Sequence, residues 1–418
     1  MYLKQLKIST FRNLNGASLE FSPQFNWIYG KNGSGKTSFL ETIYLLSTGR
    51  SFRTRHAEEF IQDGHTSCVT AGSVFSKKGS QTIRLGVERH KTDGLRLRMN
   101  EQSCETLSEW VKVLPIQLIN VDSYQLLGGP PKPRRQFLDW AMFHVEHSFY
   151  MHLQRYRRAL KQRNAALRTP SFKNRDAVTH WNIELIEAGE SINAMRREFL
   201  DTFYPVFEHH LNKLLHLSGK GDGDAQSQRE SNQVRESNQA EKLNQSKVST
   251  QERGSKEDQN LESRINISLA FKSGWNEKLS LEEALIASLD RDLALGYTSA
   301  GPHRADFSFY LEDDIPVETR LSRGQLKMFT SALFLARSHF VSAARDQDPV
   351  CLVDDLCSEL DDEATERLLQ GLMAQQAQVF ITSIEKSVIE TFLEKICSNS
   401  PLRYKMFHVE HGNINDIL

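Results

Sequence analysis

The sequence predicts an α/β fold with a mixed sheet at its core and a second lobe that is mostly helical. Near the N-terminus, the apolar segment at 25–29 opens through a glycine-rich loop into a segment with helical spacing. Some 320 residues further along, the apolar run at 350–353 ends in two carboxylates and is typical of a buried parallel strand. Between them, much of 119–346 carries apolar residues at three-to-four spacing, which indicates helices.

Length and charge limit the function. The chain has 418 residues, enough for two or three domain-sized units, and 39% of them are apolar. Its 52 Lys and Arg against 53 Asp and Glu give a net charge of −1. Because a global basic field is absent, nucleic-acid binding would need a local patch or paired subunits.

Cysteine usage and hydropathy indicate the compartment. The five cysteines are widely spread and include no C-x-x-C pair, so a disulfide framework or a structural zinc site is not expected. No run of about 18 apolar residues predicts a membrane span. We therefore expect a cytoplasmic protein without a membrane partner.

Local patterns predict the elements in chain order. Apolar alternation predicts strands at 3–8 and 25–29 and a hairpin over 80–99. Helical spacing runs from 149 to 167 and through most of 176–215. Later segments repeat these signals, with helices predicted at 280–294, 324–346 and 361–376 and strands at 349–354 and 378–383.

These elements divide into two lobes and one insertion. We expect lobe I to combine 1–118 with 347–418 as the α/β core, and lobe II to span 119–346. Within lobe II, residues 218–262 are rich in Ser, Gln, Asn, Lys and Glu and contain no aromatic residue. Such a segment cannot bury enough apolar surface to offset its chain entropy, so we predict a disordered polar insertion.

The strongest chemical signal is the loop at 30–37, which reads G-K-N-G-S-G-K-T and matches G-x-x-x-x-G-K-[ST]. Its place between a predicted strand and a predicted helix disfavours a chance glycine-rich loop. Glycines let backbone N–H groups wrap a phosphate at the helix N-terminus, which predicts ATP as the ligand. Lys36 would reach the β- and γ-phosphates, and the Thr37 hydroxyl would ligate Mg²⁺. The predicted nucleotide-binding residues are Gly30, Lys31, Asn32, Gly33, Ser34, Gly35, Lys36, Thr37 and Ser38.

Two carboxylates follow the apolar run at 350–353. At the carboxyl edge of a parallel strand, Asp354 would hold Mg²⁺ through water, and Asp355 would act as a base or orient a water. Taken alone, a strand that ends in acidic residues is as often a solvated edge. The glycine-rich loop favours the catalytic interpretation, in which Lys36 and Asp355 are the catalytic residues.

A third motif opens a predicted helix about 30 residues before the acidic strand. It consists of Ser322, Arg323, Gly324 and Gln325. A Ser and a Gly at a helix start form an anion site, although taken alone a simple N-cap is the more economical interpretation. The order of the three motifs along the chain favours an anion-binding role.

This set of motifs resembles the ABC-type ATPases. The resemblance implies an ATP-dependent head-to-tail homodimer, in which the signature loop of one subunit completes the nucleotide site of the other. Asn32, together with F-R-N-L at 11–14, looks like the branch that includes SMC proteins and double-strand-break repair ATPases. The chain lacks the long heptad-patterned arms of SMC proteins.

Further segments narrow the resemblance to the RecF family of bacterial recombination mediators. They are G-R-S-F-R-T at 49–54, P-I-Q at 115–117, R-R-Q-F-L-D at 134–139, G-P-H-R-A-D at 301–306 and D-D-L-C-S-E-L-D at 354–361. The resemblance implies an ATP-gated clamp on duplex or junction DNA that works with RecR and RecO to place RecA on gapped DNA. Both Arg323 and Asp355 depart from the usual transporter pattern but fit this family. Because Asp is shorter than Glu, we expect slow hydrolysis.

Two roles in the nucleotide site stay open. Gln117 is a hypothetical sensor of the γ-phosphate, suggested only by its place in the P-I-Q segment. Thr382 and Ser383 end the last predicted core strand, where ABC enzymes often place a histidine. Neither is assigned as the switch residue.

DNA contacts are predicted on a basic segment. Residues 132–175 contain 11 Lys and Arg but only two acidic residues. Part of this segment forms a predicted helix with one basic face, made by Arg155, Arg157, Arg158, Lys161 and Arg163. Such a face would neutralise phosphates without sequence preference, although a solvated helix face is the alternative. A second candidate cluster comprises Arg50, Arg53, Arg55, Arg96 and Arg98.

Other functions remain as alternatives. A transport or metabolic ATPase of the ABC type would not act on DNA and would not need the basic helix. A scaffold with an inactive loop is disfavoured by the intact Lys36, Thr37, Asp354 and Ser322. His303 and Arg304 either polarise a phosphate or fasten the lobes together, and a structural role is an equal alternative.

Overall fold

A computed structural model describes the chain at residues 1–76, 80–169, 178–215, 266–345, 348–355, 360–397 and 402–417. The predicted disordered insertion at 218–262 lies outside these residues, as do Ser358 and Glu359 after the two carboxylates. Within the described ranges, no helix is both long and apolar enough to cross a membrane.

The first sheet is antiparallel and has six strands. In chain order these are β1 (Tyr2–Ser9), β2 (Ala17–Glu20), β4 (Ser67–Ser76), β5 (Gln81–His90), β6 (Leu95–Met99) and β7 (Gln102–Ser103). Their spatial order is β2-β1-β4-β5-β6-β7. The predicted hairpin over 80–99 is confirmed, because β5 and β6 pair with Leu97 opposite Val87.

The second sheet joins the two ends of the chain. Its strands are β3 (Phe25–Tyr29), β8 (Ile116–Ile119), β11 (Val350–Val353), β12 (Val379–Ser383), β13 (Tyr404–Glu410) and β14 (Asn413–Asp416). The spatial order is β14-β13-β3-β12-β11-β8, and every pairing is parallel except that of β13 with β14. Strands β11 and β12 are buried along their whole length, as their apolar runs predict.

Alternate residues of this sheet enter two hydrophobic clusters, because successive strand side chains point to opposite faces. Ile28, Leu352 and Phe380 join the cluster beneath α1 (Lys36–Thr48) and the antiparallel sheet. Trp27 and Val353 join the larger cluster formed with the helices. The division into a lobe of 1–118 plus 347–418 and a lobe of 119–346 stays a proposal, because the larger cluster contains residues of both segments, such as Leu368 and Phe203.

The helices that follow α1 in the chain contribute mainly to the larger cluster, except that Trp110 of the first of them belongs to the other cluster. They are α2 (Leu107–Val113), α3 (Gln125–Gly128), α4 (Pro131–Val145), α5 (Phe149–Arg168), α6 (Asn182–Leu215), α7 (Leu281–Ala287), α8 (Leu289–Leu295), α9 (Val317–Arg320), α10 (Arg323–Arg345), α11 (Asp362–Ala374) and α12 (Lys386–Cys397). A two-stranded antiparallel sheet, β9 (Ser268–Lys272) with β10 (Asp306–Tyr310), packs Phe309 against Phe329 of α10. The helical signal predicted at 280–294 is confirmed, and the structure divides it into two helices, because α7 ends at Ala287 and α8 begins at Leu289.

Candidate nucleotide-binding site

Three neighbouring strands of the mostly parallel sheet bring the predicted motifs together. The glycine-rich loop follows β3, Thr382 lies in β12, and Asp354 follows β11. Because β12 lies between β3 and β11, and all three run in parallel, their carboxyl ends meet at one edge. Ligands of open α/β sheets bind at that edge.

The loop conformation requires glycine at two positions. Gly30 has φ 156°, and a Cβ there would clash with the carbonyl oxygen of Val409. Gly35 has φ 120°, and a Cβ there would approach a methyl group of Leu14 to 2.9 Å. Residues with a side chain rarely adopt such backbone angles. The two glycines therefore allow the chain to form the tight loop that leads into α1.

Lys36 begins α1 and its ammonium group turns back over the loop. Its Nζ donates to the carbonyl oxygens of Gly30 (2.6 Å) and Lys31 (3.1 Å). Partial burial lowers the pKa of Lys36, while the charges of Asp355 and Asp354 act in the opposite direction. The side chain therefore lies between the loop and the two carboxylates.

Thr37 and Asp354 approach each other across the strand edge. The Thr37 hydroxyl donates to Asp354 Oδ1 at 3.1 Å, and the Thr382 hydroxyl donates to the same oxygen at 2.8 Å. Burial raises the pKa of Asp354, and the hydrogen bonds from Thr382 and Thr37 lower it.

These oxygens fit Mg²⁺, which takes hard oxygen ligands, needs only one or two protein ligands and keeps several waters. Among the described residues, no group of three His, Cys, Asp or Glu side chains could hold a metal ion. Thr37 and Asp354 would therefore be the protein's contribution, with phosphate oxygens and water as the other ligands.

Asp355 has a left-handed backbone, with φ 57°. Its N–H donates to the Thr382 hydroxyl at 2.7 Å, and its carbonyl accepts from Lys327 Nζ at 3.0 Å. A non-glycine residue in this region is uncommon and is maintained by its surroundings. Thr382 thus contacts both acidic residues, and Lys327 connects α10 to the second of them.

The residues around the loop form an open cleft of about 440 Å³. Of the predicted nucleotide-binding residues, six line it: Asn32, Gly33, Gly35, Lys36, Thr37 and Ser38. Gly30, Lys31 and Ser34 belong to the loop but do not line the cleft. Asp354, Asp355 and Thr382 form the opposite wall.

Residue patterns did not assign two further wall residues. Arg12 lines the cleft and donates through Nε and Nη2 to the buried carboxylate of Glu41, at 2.6 and 2.8 Å. Asn13 lies beside it, within 3.5 Å of the Gly33 carbonyl. Both belong to the F-R-N-L segment, which entered only as a resemblance. No residue spacing relates Arg12 to Glu41, so only the fold shows this contact.

The signature motif lies at the N-terminus of α10, outside this cleft. The side chains of Ser322, Arg323 and Gln325 are exposed. Ser322 caps the helix, since Gln325 N–H donates to its Oγ at 3.3 Å and Ser322 N–H donates to Gln325 Oε1 at 2.9 Å. The N-cap interpretation is therefore correct locally, and the helix N-terminus still faces outward with Gly324 in its first turn.

The hypothesis that Gln117 senses the γ-phosphate is wrong. Gln117 is buried in β8, and its Oε1 accepts from Arg337 Nε at 2.9 Å. Arg337 is itself enclosed by the rings of Phe137, Trp140 and Phe334. Gln117 thus connects the sheet to the helical cluster and does not reach the cleft.

The five basic residues predicted to bind DNA on α5 differ in their burial and in their partners. The structure contradicts the prediction that Arg163 lies on the DNA-binding face, because its side chain is fully buried and paired with Asp292. Arg155 pairs with two glutamates of α6, and Arg157 lies 3.6 Å from Asp139. Arg158 and Lys161 are exposed on the same helix. The basic spacing alone could not distinguish the buried arginine from its exposed neighbours.

The arginines of the second candidate cluster also have different surroundings. Arg53 lines the nucleotide cleft and lies 3.7 Å from Glu41. Arg96 pairs with acidic residues of its own hairpin. Arg50, Arg55 and Arg98 are exposed.

Replacement of Thr382 by valine tests its role in the site. Thr382→Val keeps the shape and removes the hydroxyl that donates to Asp354 and accepts from Asp355. One hydrogen bond to a charged group contributes about 1.5 kcal/mol or more, so we expect nucleotide turnover to fall about tenfold. The pKa of Asp354 should rise further, so the acid limb of the pH–rate profile should move to higher pH.

The matched control is Thr330→Val, another buried threonine, whose hydroxyl bonds only within α10. Equal pH–rate profiles for the two variants would contradict the assignment of Thr382.

Fold and site together define the class of this protein as an ATPase head of the ABC and SMC type. The family model for the RecF/RecN/SMC N-terminal domain matches residues 2–405. Among solved structures, the Smc head bound to the C-winged helix domain of ScpA has a TM-score of 0.53 at 13% identity, covering 100% of this chain and 97% of that chain.

The particular family follows from the sequence relatives. The DNA replication and repair protein RecF of Stutzerimonas stutzeri is 36% identical over 417 residues, covering 100% of this chain and 98% of the relative. The RecF of Azotobacter vinelandii is also 36% identical, covering 99% of this chain and 98% of the relative. A solved RecF structure with ATP has a TM-score of 0.77 at 22% identity, and the match covers 100% of this chain and 98% of the RecF chain. The chain belongs to the RecF family.

Proposed function

We propose that this protein is an ATP-driven switch that acts on DNA in recombinational repair and replication restart. ATP with Mg²⁺ binds at the glycine-rich loop, and binding brings two copies together around the nucleotides. The ATP-bound dimer holds duplex DNA or a junction between single-stranded and duplex DNA, and hydrolysis releases it. Relatives named DNA replication and repair protein RecF, such as that of Stutzerimonas stutzeri, support the DNA substrate.

One observation carries the dimer. The cleft contains the loop, the metal-binding oxygens and Asp355, whereas Ser322 and the start of α10 lie outside it and face outward. A helix N-terminus with a serine cap suits a phosphate. In a head-to-tail dimer, each signature loop would supply that anion site to the nucleotide of the other copy.

Within one chain, the residues have separate tasks. Lys36 would exchange its carbonyl contacts for the β- and γ-phosphate oxygens, and Thr37 with Asp354 would hold Mg²⁺, which neutralises developing phosphate charge. Asp355 would orient the attacking water. Its short side chain favours slow turnover, and Thr382 holds the carboxylate of Asp354 and the backbone of Asp355 in place.

The partners follow from the family. A solved relative is described as a recombination mediator in the RecFOR pathway. We infer that this protein works with RecR and RecO in the cytoplasm and that RecA is loaded on gapped DNA as a result.

The first experiment measures ATP hydrolysis and sedimentation with and without duplex DNA. We expect slow turnover that duplex DNA stimulates, loss of turnover in Lys36→Arg, and dimers only with ATP. Turnover by a monomer that ignores DNA would overturn the proposal and favour an ABC-type ATPase of transport or metabolism.

Substitution of the signature serine separates ATP binding from dimer formation. In Ser322→Arg, a long cationic side chain occupies the proposed interface while the loop of the same chain is untouched. We expect ATP to bind with little change, whereas ATP-dependent dimers and DNA-stimulated turnover should fall to background. Sedimentation with ATP measures the loss of ATP-dependent dimers.

Ser280→Arg is the matched control. Ser280 is an exposed N-cap with the same reciprocal capping box, formed with Glu283. Its loss costs about the same cap energy, ~1 kcal/mol, without touching the proposed interface. If both variants dimerise alike, the signature loop does not complete a second site.

A further inference from the structure

The helical lobe contains a second cavity, separate from the nucleotide cleft. It has a volume of about 170 Å³ and lies where α4, α5 and α6 meet the turn at 302–304. Apolar walls come from Leu153, Leu160, Ile192 and Pro302. The polar lining consists of Lys132, Arg135, Gln136, Asp139, Tyr156, Arg157, Arg196 and His303.

Positive charge exceeds negative charge around this cavity. Four of its lining residues are cations, namely Lys132, Arg135, Arg157 and Arg196, against the one carboxylate of Asp139. That carboxylate is shared, since it accepts from Arg196 Nη2 at 2.6 Å and lies 3.6 Å from Arg157. Arg135 donates to a backbone carbonyl, which carries no compensating charge.

The histidine of the cavity adds neither charge nor a free acceptor. Burial lowers the pKa of His303 to about 4, so the ring is neutral at pH 7. Its Nε2 lies 3.0 Å from the Thr298 carbonyl, which can only accept, so Nε2 carries the proton. Its Nδ1 then accepts from the Tyr156 hydroxyl at 2.6 Å. His303 is thus a neutral part of the cavity wall, held in place by its two hydrogen bonds.

Arg196 gives the cavity a buried cation. Its side chain is 3% exposed, and its Nε–H has no hydrogen-bond partner among the described residues. Buried polar groups are nearly always satisfied, so such an exception calls for an explanation. Burial, followed by the charge of Arg196, lowers the pKa of nearby Arg135. An anion between these cations would stabilise both.

We propose that this cavity binds a single phosphate group, held by Lys132, Arg135 and Arg157 with Arg196 behind them. The volume is below the roughly 300–1,000 Å³ of pockets that enclose a whole small ligand, so a phosphate fits better than a nucleotide. Two of the lining cations, Lys132 and Arg157, are exposed at the rim of the cavity, where a phosphate of a larger molecule can reach them. A backbone phosphate of DNA is therefore the favoured source, and in that form the inference rests on the proposed function.

The test uses substitutions at the exposed rim, where the fold is least affected. Lys132→Gln with Arg157→Gln is compared with Lys278→Gln with Arg291→Gln, two exposed cations of the same lobe that do not line the cavity. Binding of the full chain with ATP to labelled duplex DNA is measured by anisotropy from about 50 to 200 mM salt. We expect about tenfold weaker binding and a salt slope reduced by about 1 for the rim variant, and native values for the control.

A second arm identifies the source of the phosphate. In Lys36→Ala, which removes the P-loop lysine, inorganic phosphate should raise the thermal midpoint relative to chloride at equal ionic strength. The rim substitutions should abolish that rise. A phosphate-dependent rise with unchanged DNA binding would make the source free phosphate. No effect in either arm would overturn the site, whereas loss of DNA binding by the native chain would overturn only the proposed function.

Discussion

Asp355→Asn should stop hydrolysis while leaving ATP binding and dimer formation intact. Asparagine accepts the left-handed backbone that Asp355 adopts at φ 57°, so the contacts of its N–H and carbonyl should survive. What is lost is the negative charge that would orient or deprotonate the attacking water, an effect of about 10²–10⁴-fold. Phosphate release in single-turnover experiments measures the loss, and sedimentation should show an ATP-bound dimer that persists.

Asp313→Asn is the matched control for this variant. Asp313 is an exposed aspartate with a similar backbone, φ 62°, and it does not line the cleft. Its turnover should equal that of the native chain. If Asp355→Asn keeps its turnover within about threefold, another group activates the water and the proposed task of Asp355 is wrong.

The contact between Lys327 and Asp355 suggests how the signature helix and the hydrolytic residue are connected. Lys327 lies one turn into α10, and its ammonium holds the carbonyl of Asp355. A partner's nucleotide at the start of α10 would therefore act on a helix that is already bonded to the catalytic strand. In the proposed dimer, this contact would connect dimer formation to hydrolysis within each copy.

Much of the fold could be predicted because the relevant patterns are local. The apolar runs at 25–29 and 350–353 are strands with the predicted bounds or nearly so, and the loop between β3 and α1 follows its glycines. The sequence assigns both Thr37 and Asp354 to Mg²⁺, and the structure brings these side chains within 3.1 Å although they are 317 residues apart. They meet because each follows the end of a strand, and the ends of neighbouring parallel strands lie at one edge of the sheet.

Residues that act through tertiary contacts could not be predicted in the same way. The sequence identifies Thr382 only as the end of a strand, because nothing near it in sequence indicates that β12 lies between β3 and β11. The sequence does not show the role of Gln117, because its partner, Arg337, is 220 residues away. In both cases, the strand position was correct and the direction of the side chain decided its role.

Arg163 shows the same limit for charge. Helical spacing grouped it with the basic face of α5, yet it is turned inward, where its Nη1 donates to Asp292 at 2.8 Å and Thr298 at 2.7 Å. Its Nε donates to Asn182 at 3.0 Å. A buried arginine needs such partners, and three of them come from distant segments. The basic residue is therefore a connection between helices of the lobe.

Removal of one member of this pair should destabilise the protein strongly. Arg163→Leu leaves the fully buried carboxylate of Asp292 without its cation, and Asp292→Leu leaves the guanidinium without its anion. Breaking a buried ion pair costs about 3–5 kcal/mol of the free energy of unfolding. The double variant should cost less than the sum of the two, because no uncompensated charge remains. Urea unfolding of the four proteins measures the coupling.

Arg158→Leu provides the control, since Arg158 is exposed on the same helix and should change stability by about 0.5 kcal/mol or less. DNA binding provides a second comparison of the two arginines, in which Arg163→Leu should have no effect. At temperatures where Arg163→Leu stays folded, its DNA affinity and salt slope should equal the native values, whereas a residue on the DNA face would reduce both. A lower salt slope in folded Arg163→Leu would return this residue to the DNA interface, and additive losses in the double variant would show that Arg163 and Asp292 do not act as a pair.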